Sequence, residues 1–562
     1  MESVNFPWAT LYVDDAFNYK DGKLMGRHAA GLSYIKAIAS SEYDNAGFLL
    51  ANEAVAANFV NIFKPLVPKE KKINIELIDY LNVNKSEKYG GIFIHDPALG
   101  YFSSLRSNFL HKDYSIIGIT HTTMSDGVMN YINDLYTKPV MEWDALICTS
   151  KSVKETVQHL ESYQEDMLRQ KLDIKKITKP QLPIIPLGIH PEEFNHSKEQ
   201  RNKARTELKI DKDDIVLIFV GRLSFHAKAH HFSMYKALGN LSGKVNKKIK
   251  IHLIQVGWFA NDFVKDVFIK EAKDICPDIN CIFLDGRNQN VKHDALAASD
   301  IFISLTDNFQ ETFGLTPLEG MASGKPVVVT DWNGYRDTVR NDIDGFTIPT
   351  TTLKGGDGLD MAYKYISGQI NYDIYMAYTS QTVSVDIENA TNKIEKLILN
   401  KELRNKMGDE AKKRAFNDFS WNNIVNMYSD LRDELNSIRQ HSDESKTINY
   451  IKAIDPYHLF SLYPTNTLGD ETKLGIVKEK KVDEDHYLFT SKSINLSNFN
   501  AVADISLEPK INIVNLILGQ FKDQVLCLGD LFNNLDIDNI VIKRHVMMMI
   551  KFNLLNIVSD NE

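Results

Sequence analysis

The chain has 562 residues, of which 43% are hydrophobic and 25% are charged. This composition is typical of a folded protein, and the length suffices for two large domains and a smaller one. The net charge of -9 argues against nucleic acid as the main partner, because a surface that tracks phosphates normally carries a basic excess. No apolar run is long enough to cross a membrane, and the first residues, "MESVNFPWATLYVDD", lack the basic-then-apolar order of a signal peptide. We therefore expect a cytoplasmic protein.

The four cysteines are too few for a disulfide framework: Cys148, Cys276, Cys281 and Cys527. The pair in "CPDINC" has no second pair at zinc spacing. We expect buried thiols and no metal site.

The first part of the chain alternates short β-rich apolar runs with helical patterns. The runs are "ATLYVDD", "AGFLLAN", "GGIFIHD", "YSIIGITHT", "DALICTS" and "LPIIPLG". Parallel strands need crossover connections and are buried on both faces, so this order predicts βαβ units in a parallel sheet. The pattern breaks near residue 195 in a charged segment, and we assign residues 1–205 to an N-terminal Rossmann-like domain.

A second series of the same kind follows. Its runs are "IVLIFVGRL", "KIHLIQVGW", "NCIFLDGR", "SDIFISLTD", "GKPVVVTDWNG" and "DGFTIP", and residues 401–436 close it as helix. Two successive α/β series predict two doubly wound domains that face a cleft, with the second domain over residues 206–436. The polar segment 437–450 indicates a linker.

Residues 451–562 have a different character. Apolar runs such as "KINIVNLILGQF" and "IVIKRHVMMMIKFNLLNIV" lack glycine-rich turns. We predict a small α+β appendage of winged-helix type, and we interpret the methionines of "HVMMMIKF" as core residues.

The segment "ETFGLTPLEGMASGKPVVVT" contains a helix start. Pro317 suits the first turn of a helix, which predicts Thr316 as N-cap and Glu319 as the third residue of a capping box. Gly324 then ends the helix. This explains Glu319 structurally but leaves Glu311 without a structural role.

Glu311 follows the predicted strand "DIFISL", at the sheet edge where ligands bind in α/β folds. The backbone N–H groups near Gly314 lead into a helix N-terminus, which favours an anion such as phosphate. Arg222 and Lys228 follow the strand "IVLIFV" and supply cations for the same edge. A carboxylate beside a phosphate site is compatible with a ligand that also carries sugar hydroxyls.

The segments "GRLSFHAK", "ETFGLTPLEGMASGKPVVVTDWNGYRDTV", "DGFTI" and "FSWNNIVNMY" together resemble the C-terminal half of GT-B glycosyltransferases of the retaining group called family 4. The resemblance covers roughly residues 9–436 and is strongest over 215–350. It implies a GT-B fold whose C-terminal domain binds a nucleotide sugar, whereas the N-terminal domain receives the acceptor.

The resemblance also implies residue roles. Glu311 would hold hydroxyls of the donor sugar, and Glu319 would hold the nucleotide ribose. Arg222 and Lys228 would hold the diphosphate. The supporting backbone amides would be those of Phe313, Gly314 and Leu315.

In the N-terminal half, "THTTMSD" resembles the segment that places a histidine beside the donor sugar, here His121, with His95 of "FIHDP" as the competing candidate. "LMGRHAAG" resembles the glycine loop over the phosphates, here Gly26. Two departures stand out. "GRLSFHAK" has one residue more between Arg222 and Lys228 than the commonest form, and "GRHAAG" lacks the usual paired glycines.

The activity implied is retaining transfer of a sugar from a nucleoside diphosphate to a hydroxyl in glycan or polysaccharide biosynthesis, with no metal and no other cofactor. The resemblance does not distinguish between a glycan, a lipid-linked molecule and a small molecule as the acceptor. It also leaves undecided whether the protein forms oligomers and whether it contacts the inner face of the membrane peripherally. Two alternatives share the architecture: a GT-B phosphorylase or sugar-nucleotide epimerase, and a non-catalytic sugar-nucleotide-binding module.

Overall fold

The computed structural model describes residues 4–17, 26–107, 112–246, 249–443, 455–477, 481–482 and 510–558. The chain forms two compact units, Met1–Ala453 and Ile454–Glu562. Both predicted α/β halves lie in the larger unit. No helix among the described residues is long and apolar enough to span a membrane.

The N-terminal half is built on a parallel sheet. Its strands are β1 (Ala9–Leu11), β2 (Asn45–Leu49), β3 (Asn74–Ile78), β4 (Gly91–Ile94), β5 (Ser115–Ile119) and β6 (Ala145–Ile147). They lie in the order β3-β2-β1-β4-β5-β6, which is the doubly wound order that opens a ligand crevice where the strand order reverses, between β1 and β4. The accompanying helices are α1 (Asp14–Phe17), α2 (Gly26–Ser40), α3 (Glu53–Phe63), α4 (Leu99–Arg106), α5 (Asp126–Asp134) and α6 (Lys151–Leu172).

The second half repeats this plan. Its strands are β7 (Ile215–Val220), β8 (Ile251–Gly257), β9 (Asn280–Asp285), β10 (Ile301–Ser304), β11 (Val327–Thr330) and β12 (Gly345–Ile348), in the order β12-β11-β10-β7-β8-β9. Its helices are α7 (Lys198–Glu207), α8 (His231–Gly239), α9 (Asp262–Ile275), α10 (Gln289–Ala298), α11 (Leu315–Ala322) and α12 (Tyr335–Thr338). Strands β7, β8, β10 and β11 are buried along their whole length, as parallel strands covered by helices on both faces must be. The two predicted Rossmann-like domains are confirmed.

A helical hairpin follows β12. It consists of β13 (Thr350–Thr351), α13 (Leu359–Ile366), α14 (Tyr372–Ser380) and β14 (Ser384–Val385), and β13 pairs with β14 in antiparallel fashion at its base. The sequence patterns had not indicated this element.

The last helices of the larger unit are α15 (Ile387–Leu399), α16 (Lys401–Asp418) and α17 (Trp421–His441). Helix α17 returns to the N-terminal half. The indole N–H of Trp421 donates to Ser33 Oγ at 2.7 Å, and Arg439 donates to the carbonyl oxygen of Gly90 at 3.1 Å. Because α17 ends at His441, residues 437–441 are helical and not part of a linker.

The point at which the chain passes between halves also differs from the predicted boundary after residue 205. Helix α7 packs against α10, and its Arg201 and Arg205 both pair with Asp300, at 2.6 and 2.7 Å. The second half therefore begins before Lys198.

Two further sequence expectations require correction. Strand β3 had no counterpart among the predicted runs, because its polar residues weaken the apolar pattern. Conversely, "LPIIPLG" forms only isolated bridges, such as Cys148 with Ile184. Cys148 and Cys276 are buried as expected, whereas Cys281 and Cys527 are half-buried; all four are free thiols.

The smaller unit contains α18 (Pro456–Leu459), β15 (Lys473–Ile476), α19 (Ile511–Leu518), β16 (Leu526–Cys527), α20 (Leu528–Asn534), α21 (Asn539–Lys551) and β17 (Leu555–Ile557). The strands form an antiparallel sheet in the order β16-β15-β17, so the predicted α+β character is confirmed. Of the methionine run, Met549 is buried in the core but Met547 is 48% exposed.

Candidate active site

A cavity of about 300 Å³ lies between the two halves of the larger unit. Gly26, His121 and Thr122 line it from the N-terminal half, and residues at the carboxyl ends of β7, β8, β9 and β10 line it from the other. Its volume is within the range of small-molecule sites. All the site residues predicted from the sequence line this cavity: Gly26, His121, Arg222, Lys228, Glu311, Phe313, Gly314, Leu315 and Glu319.

Lys228 and Glu311 form an ion pair in the cavity wall, Nζ to Oε2. Their side chains are only 15% and 13% exposed. Burial acts to lower the pKa of Lys228, but attraction to Glu311 outweighs it and the pKa is raised. The ammonium is therefore charged at neutral pH. The sequence had placed both residues in the site without indicating that they pair with each other.

Arg222 lies beside this pair and donates from Nη2 to the carbonyl oxygen of Ala227 at 3.0 Å. Burial lowers the pKa of Arg222, while the nearby carboxylates of Asp373 and Glu311 act to raise it. An arginine retains its charge under such shifts. Arg222 and Lys228 thus bring two cations to one wall of the cavity.

The loop between β10 and α11 is held by side-chain and backbone hydrogen bonds at Asn308. Asn308 Oδ1 accepts the N–H of Gln310 at 2.7 Å, and its carbonyl oxygen accepts the indole N–H of Trp332 at 3.0 Å. Asn308 Nδ2 also donates to the carbonyl oxygen of His226, which joins this loop to the one carrying Lys228. These bonds fix the position of Glu311 relative to the cations.

Helix α11 begins at Leu315, directly against the cavity. Gly314 has a φ of 91°, and a Cβ at that position would overlap the ring of Tyr335. Only glycine fits here, because both the backbone conformation and the neighbouring ring exclude a side chain. The turn directs the first N–H groups of α11, which have no partner within the helix, towards an incoming anion.

The predicted capping box is wrong. The N-cap of α11 is Gly314, with no side-chain cap, so Thr316 and Pro317 are the second and third helical residues. The left-handed turn at Gly314 starts the helix earlier than the proline alone suggests. Glu319 consequently lies too far along α11 to reach the N-cap.

Glu319 instead pairs with Lys292 of α10, with 2.8 Å between Nζ and Oε1. Each side chain is 14% exposed, and both line the cavity. Glu319 Oε2 is buried and has no hydrogen-bond partner in the protein. This oxygen is an unused acceptor that a ligand hydroxyl could satisfy. Sequence reasoning had missed Lys292; its position in the first turns of a helix after the sheet-edge segment "DGRN" was the available signal.

His121 and His95 lie together at the N-terminal side, with ring centroids 4.6 Å apart. Burial lowers the pKa of His121 to about 4 and that of His95 well below its ordinary value. Both imidazoles are therefore neutral at pH 7. His121 lines the cavity, whereas His95 packs behind it against Phe17 and Tyr34; the geometry favours His121 as the residue that faces a ligand.

Gly26 is the first residue of α2 and faces the cavity. The predicted glycine loop is thus a helix N-terminus at this residue, and residues 24 and 25 of the predicted loop lie outside the described residues. Within the described parts of the chain, no group of three or more His, Cys, Asp or Glu side chains could hold a metal ion.

Two doubly wound domains with a cavity between them are the arrangement of the GT-B fold. Residues 200–354 match the family described as "Glycosyl transferases group 1". The matched segment includes all of the site residues contributed by the C-terminal half. Residues 200–354 therefore contain a group 1 glycosyltransferase domain.

Comparisons with known proteins give distant relatives. The chain is 20% identical over 354 residues to an uncharacterized glycosyltransferase of Methanocaldococcus jannaschii. The aligned region covers 56% of this chain and 87% of the relative. It is 21% identical over 262 residues to the lipopolysaccharide 1,2-N-acetylglucosaminetransferase of Salmonella typhimurium, covering 46% of this chain and 59% of that protein. Among solved structures, the N-terminal domain of Candida albicans trehalose-6-phosphate phosphatase superposes with a TM-score of 0.50 at 10% identity, over 77% of this chain and 97% of that one. This last similarity concerns the fold alone.

Proposed function

We propose that the protein transfers a glycosyl group from a nucleoside diphosphate sugar to a hydroxyl acceptor, with retention of the anomeric configuration. One observation carries the proposal: two half-buried cations, a helix N-terminus and two carboxylates converge on a single cavity. Cations and helix N–H groups bind phosphates, whereas carboxylates accept hydrogen bonds from sugar hydroxyls. A nucleotide sugar contains both kinds of group.

The diphosphate is assigned to Arg222, Lys228 and the backbone amides of residues 313–315. As the glycosidic bond breaks, negative charge grows on the departing phosphate oxygen. Fixed positive groups in a site closed off from bulk water stabilise this charge without having to reorganise. Loss of one such group typically costs a factor of about 10² to 10³ in turnover.

The sugar and the ribose are assigned to the two carboxylates. Glu311 is anchored by Lys228 and accepts hydrogen bonds from donor-sugar hydroxyls, and the free Oε2 of Glu319 accepts a ribose hydroxyl. Neutral His121 contacts the sugar from the opposite half without adding positive charge beside the developing oxocarbenium centre.

Retention follows if the acceptor hydroxyl attacks the face that the diphosphate leaves. The new bond forms between the acceptor oxygen and the anomeric carbon, the bond to the phosphate oxygen breaks, and the acceptor proton passes to that oxygen. The residues that hold the diphosphate therefore also hold the proton acceptor in place.

For the acceptor we propose a hydroxyl of a carbohydrate or glycan. The Salmonella relative is named for transfer of N-acetylglucosamine to lipopolysaccharide, which motivates this class. The relatives do not narrow the donor base, so it must be found by experiment.

The test is a thermal-shift and hydrolysis screen of UDP-, GDP- and ADP-sugars against the full chain. We expect one base to stabilise the protein and its sugar nucleotide to be turned over. Arg222→Ala should lose both responses. Arg336→Ala is the matched control, because Arg336 is 55% exposed and pairs with Asp331 outside the cavity. A transferred sugar of inverted configuration, seen by proton NMR, would contradict retention; no response to any nucleotide would contradict the proposal as a whole.

A further inference from the structure

The helical hairpin formed by β13, α13, α14 and β14 belongs to the C-terminal half but touches the N-terminal half. The hydroxyl of Tyr365 accepts the backbone N–H of Asp126 at 3.2 Å. The hydroxyls of Tyr372 and Thr122 lie 3.5 Å apart. Both contacts fall on residues 122–126, the segment that directly follows His121.

The contact at Asp126 gives a hydrogen-bond acceptor to the backbone N–H of Asp126, which receives none from the side chain of its own N-cap residue. Asp126 is the first residue of α5, and its N-cap, Ser125, makes no side-chain capping bond. The first N–H groups of a helix have no partner within the helix, so a side-chain acceptor at this point stabilises the helix start. Here that acceptor comes from the other half of the protein.

The tyrosines of the hairpin support one another. The rings of Tyr365 and Tyr375 are stacked with centroids 4.7 Å apart and an interplanar angle of 9°, and the ring of Tyr372 lies 6.0 Å from that of Tyr365. Such aromatic contacts restrict the rings, so that their hydroxyls are held in place.

The hairpin also lies beside the cation wall of the cavity. The carboxylate of Asp373 is close enough to act electrostatically on Arg222, and Thr122 lines the cavity together with Arg222. The start of α14 is therefore next to both the phosphate-binding side and the histidine side of the site.

We infer that the hairpin is a clasp between the halves, and that Tyr365 and Tyr372 are positioning residues that hold the His121 segment against the donor site. The predicted effect of the clasp on turnover rests on the proposed function. The clasp acts on the placement of His121, not on the groups assigned to the diphosphate. Its loss should therefore slow turnover while leaving nucleotide affinity intact.

The experiment uses the full chain with Tyr365→Phe, Tyr372→Phe and the double variant, which remove only the hydroxyls. The matched control is Tyr363→Phe, because Tyr363 lies on the same helix and is 70% exposed. The first readout is hydrogen exchange at the amide of Asp126. In Tyr365→Phe it should exchange roughly fivefold faster, the ratio that corresponds to about 1 kcal/mol for a lost N-terminal cap.

The second readout is kinetic, with UDP-glucose, GDP-mannose and ADP-glucose as probes. In the double variant, kcat for hydrolysis of the accepted probe should fall about tenfold while KM stays within about twofold. Unchanged exchange and unchanged kcat would overturn the clasp. A parallel loss of nucleotide affinity would also overturn it, since the tyrosines would then bind the donor directly. If the wild-type protein binds none of the probes, the proposed function fails, and the exchange at Asp126 still decides whether Tyr365 holds this segment.

Discussion

Replacing Glu311 by glutamine tests the central pair of the site. Glu311→Gln keeps the shape of the side chain but removes its charge and leaves the Lys228 ammonium without its partner, in a wall where that side chain is 15% exposed. Removing one partner of a buried ion pair typically lowers the free energy of unfolding by about 3–5 kcal/mol. Because glutamine keeps the shape of the side chain, we expect a loss of about 3 kcal/mol. For the compact unit Met1–Ala453, whose entropy of unfolding is about 0.95 kcal/mol/K, that free energy lowers the melting temperature by about 3 °C.

The assay is a double-mutant cycle with Lys228→Met, in which both the melting temperature and the turnover of the sugar nucleotide are measured. The double variant should recover most of the stability lost in Glu311→Gln, because no charge is left unpaired. Turnover should fall by a factor of about 10² or more in all three variants. Asp211→Asn serves as the control: Asp211 pairs with Lys250 at 3.0 Å, but both side chains are largely exposed, so stability should not change. Additive losses in the cycle would refute the coupling, and full turnover in Glu311→Gln would refute the role of the carboxylate.

Three further predictions concern Lys292 and His121 of the site and the buried Asp307, which does not line the cavity. Lys292→Met should weaken nucleoside diphosphate binding about tenfold in calorimetry, because Glu319 loses the ion pair that orients its free oxygen. Asp307→Asn should raise the free energy of unfolding at pH 8 but not at pH 4. Burial raises the pKa of Asp307 from an unfolded value near 4 to about 7 in the native protein. The full stability of the native protein is therefore present below the unfolded pKa, and up to about 4 kcal/mol of it is lost as the pH rises through 7. The pKa of His121 is about 4, so the acid limb of the kcat profile should fall near pH 4, not near 6.5, and should disappear in His121→Gln.

Each of these has an outcome that contradicts it. An unaltered affinity of Lys292→Met for the nucleoside diphosphate would show that Glu319 does not need the ion pair with Lys292 for its orientation. A pH-independent gain in Asp307→Asn would mean that the carboxyl does not titrate in this range. An acid limb near pH 6.5 would mean that the imidazole of His121 is hydrated in the working enzyme.

Much of the fold could be predicted from the sequence. Buried parallel strands are continuous apolar runs, and this local signal identified both doubly wound halves and most of their strands. It failed for β3, where polar residues interrupt the run, and for "LPIIPLG", where an apolar run pairs only through isolated bridges. It also placed the passage between halves too late, because helix α7 carries no local mark of which sheet it packs against.

The site shows the same division. The sequence by itself determined which residue types lie at the carboxyl ends of the strands, since the strand pattern fixes their place along the sheet edge. Arg222, Lys228 and Glu311 were found in this way, whereas the role of Glu319 was implied by the family resemblance. Which of them pair was decided by the tertiary structure. The partners of Lys228 and Glu319, the start of α11 at Gly314 and the contacts of the hairpin with residues 122–126 all depend on groups far apart in the chain. Such contacts arise only when the halves pack, because burial and charge act through space.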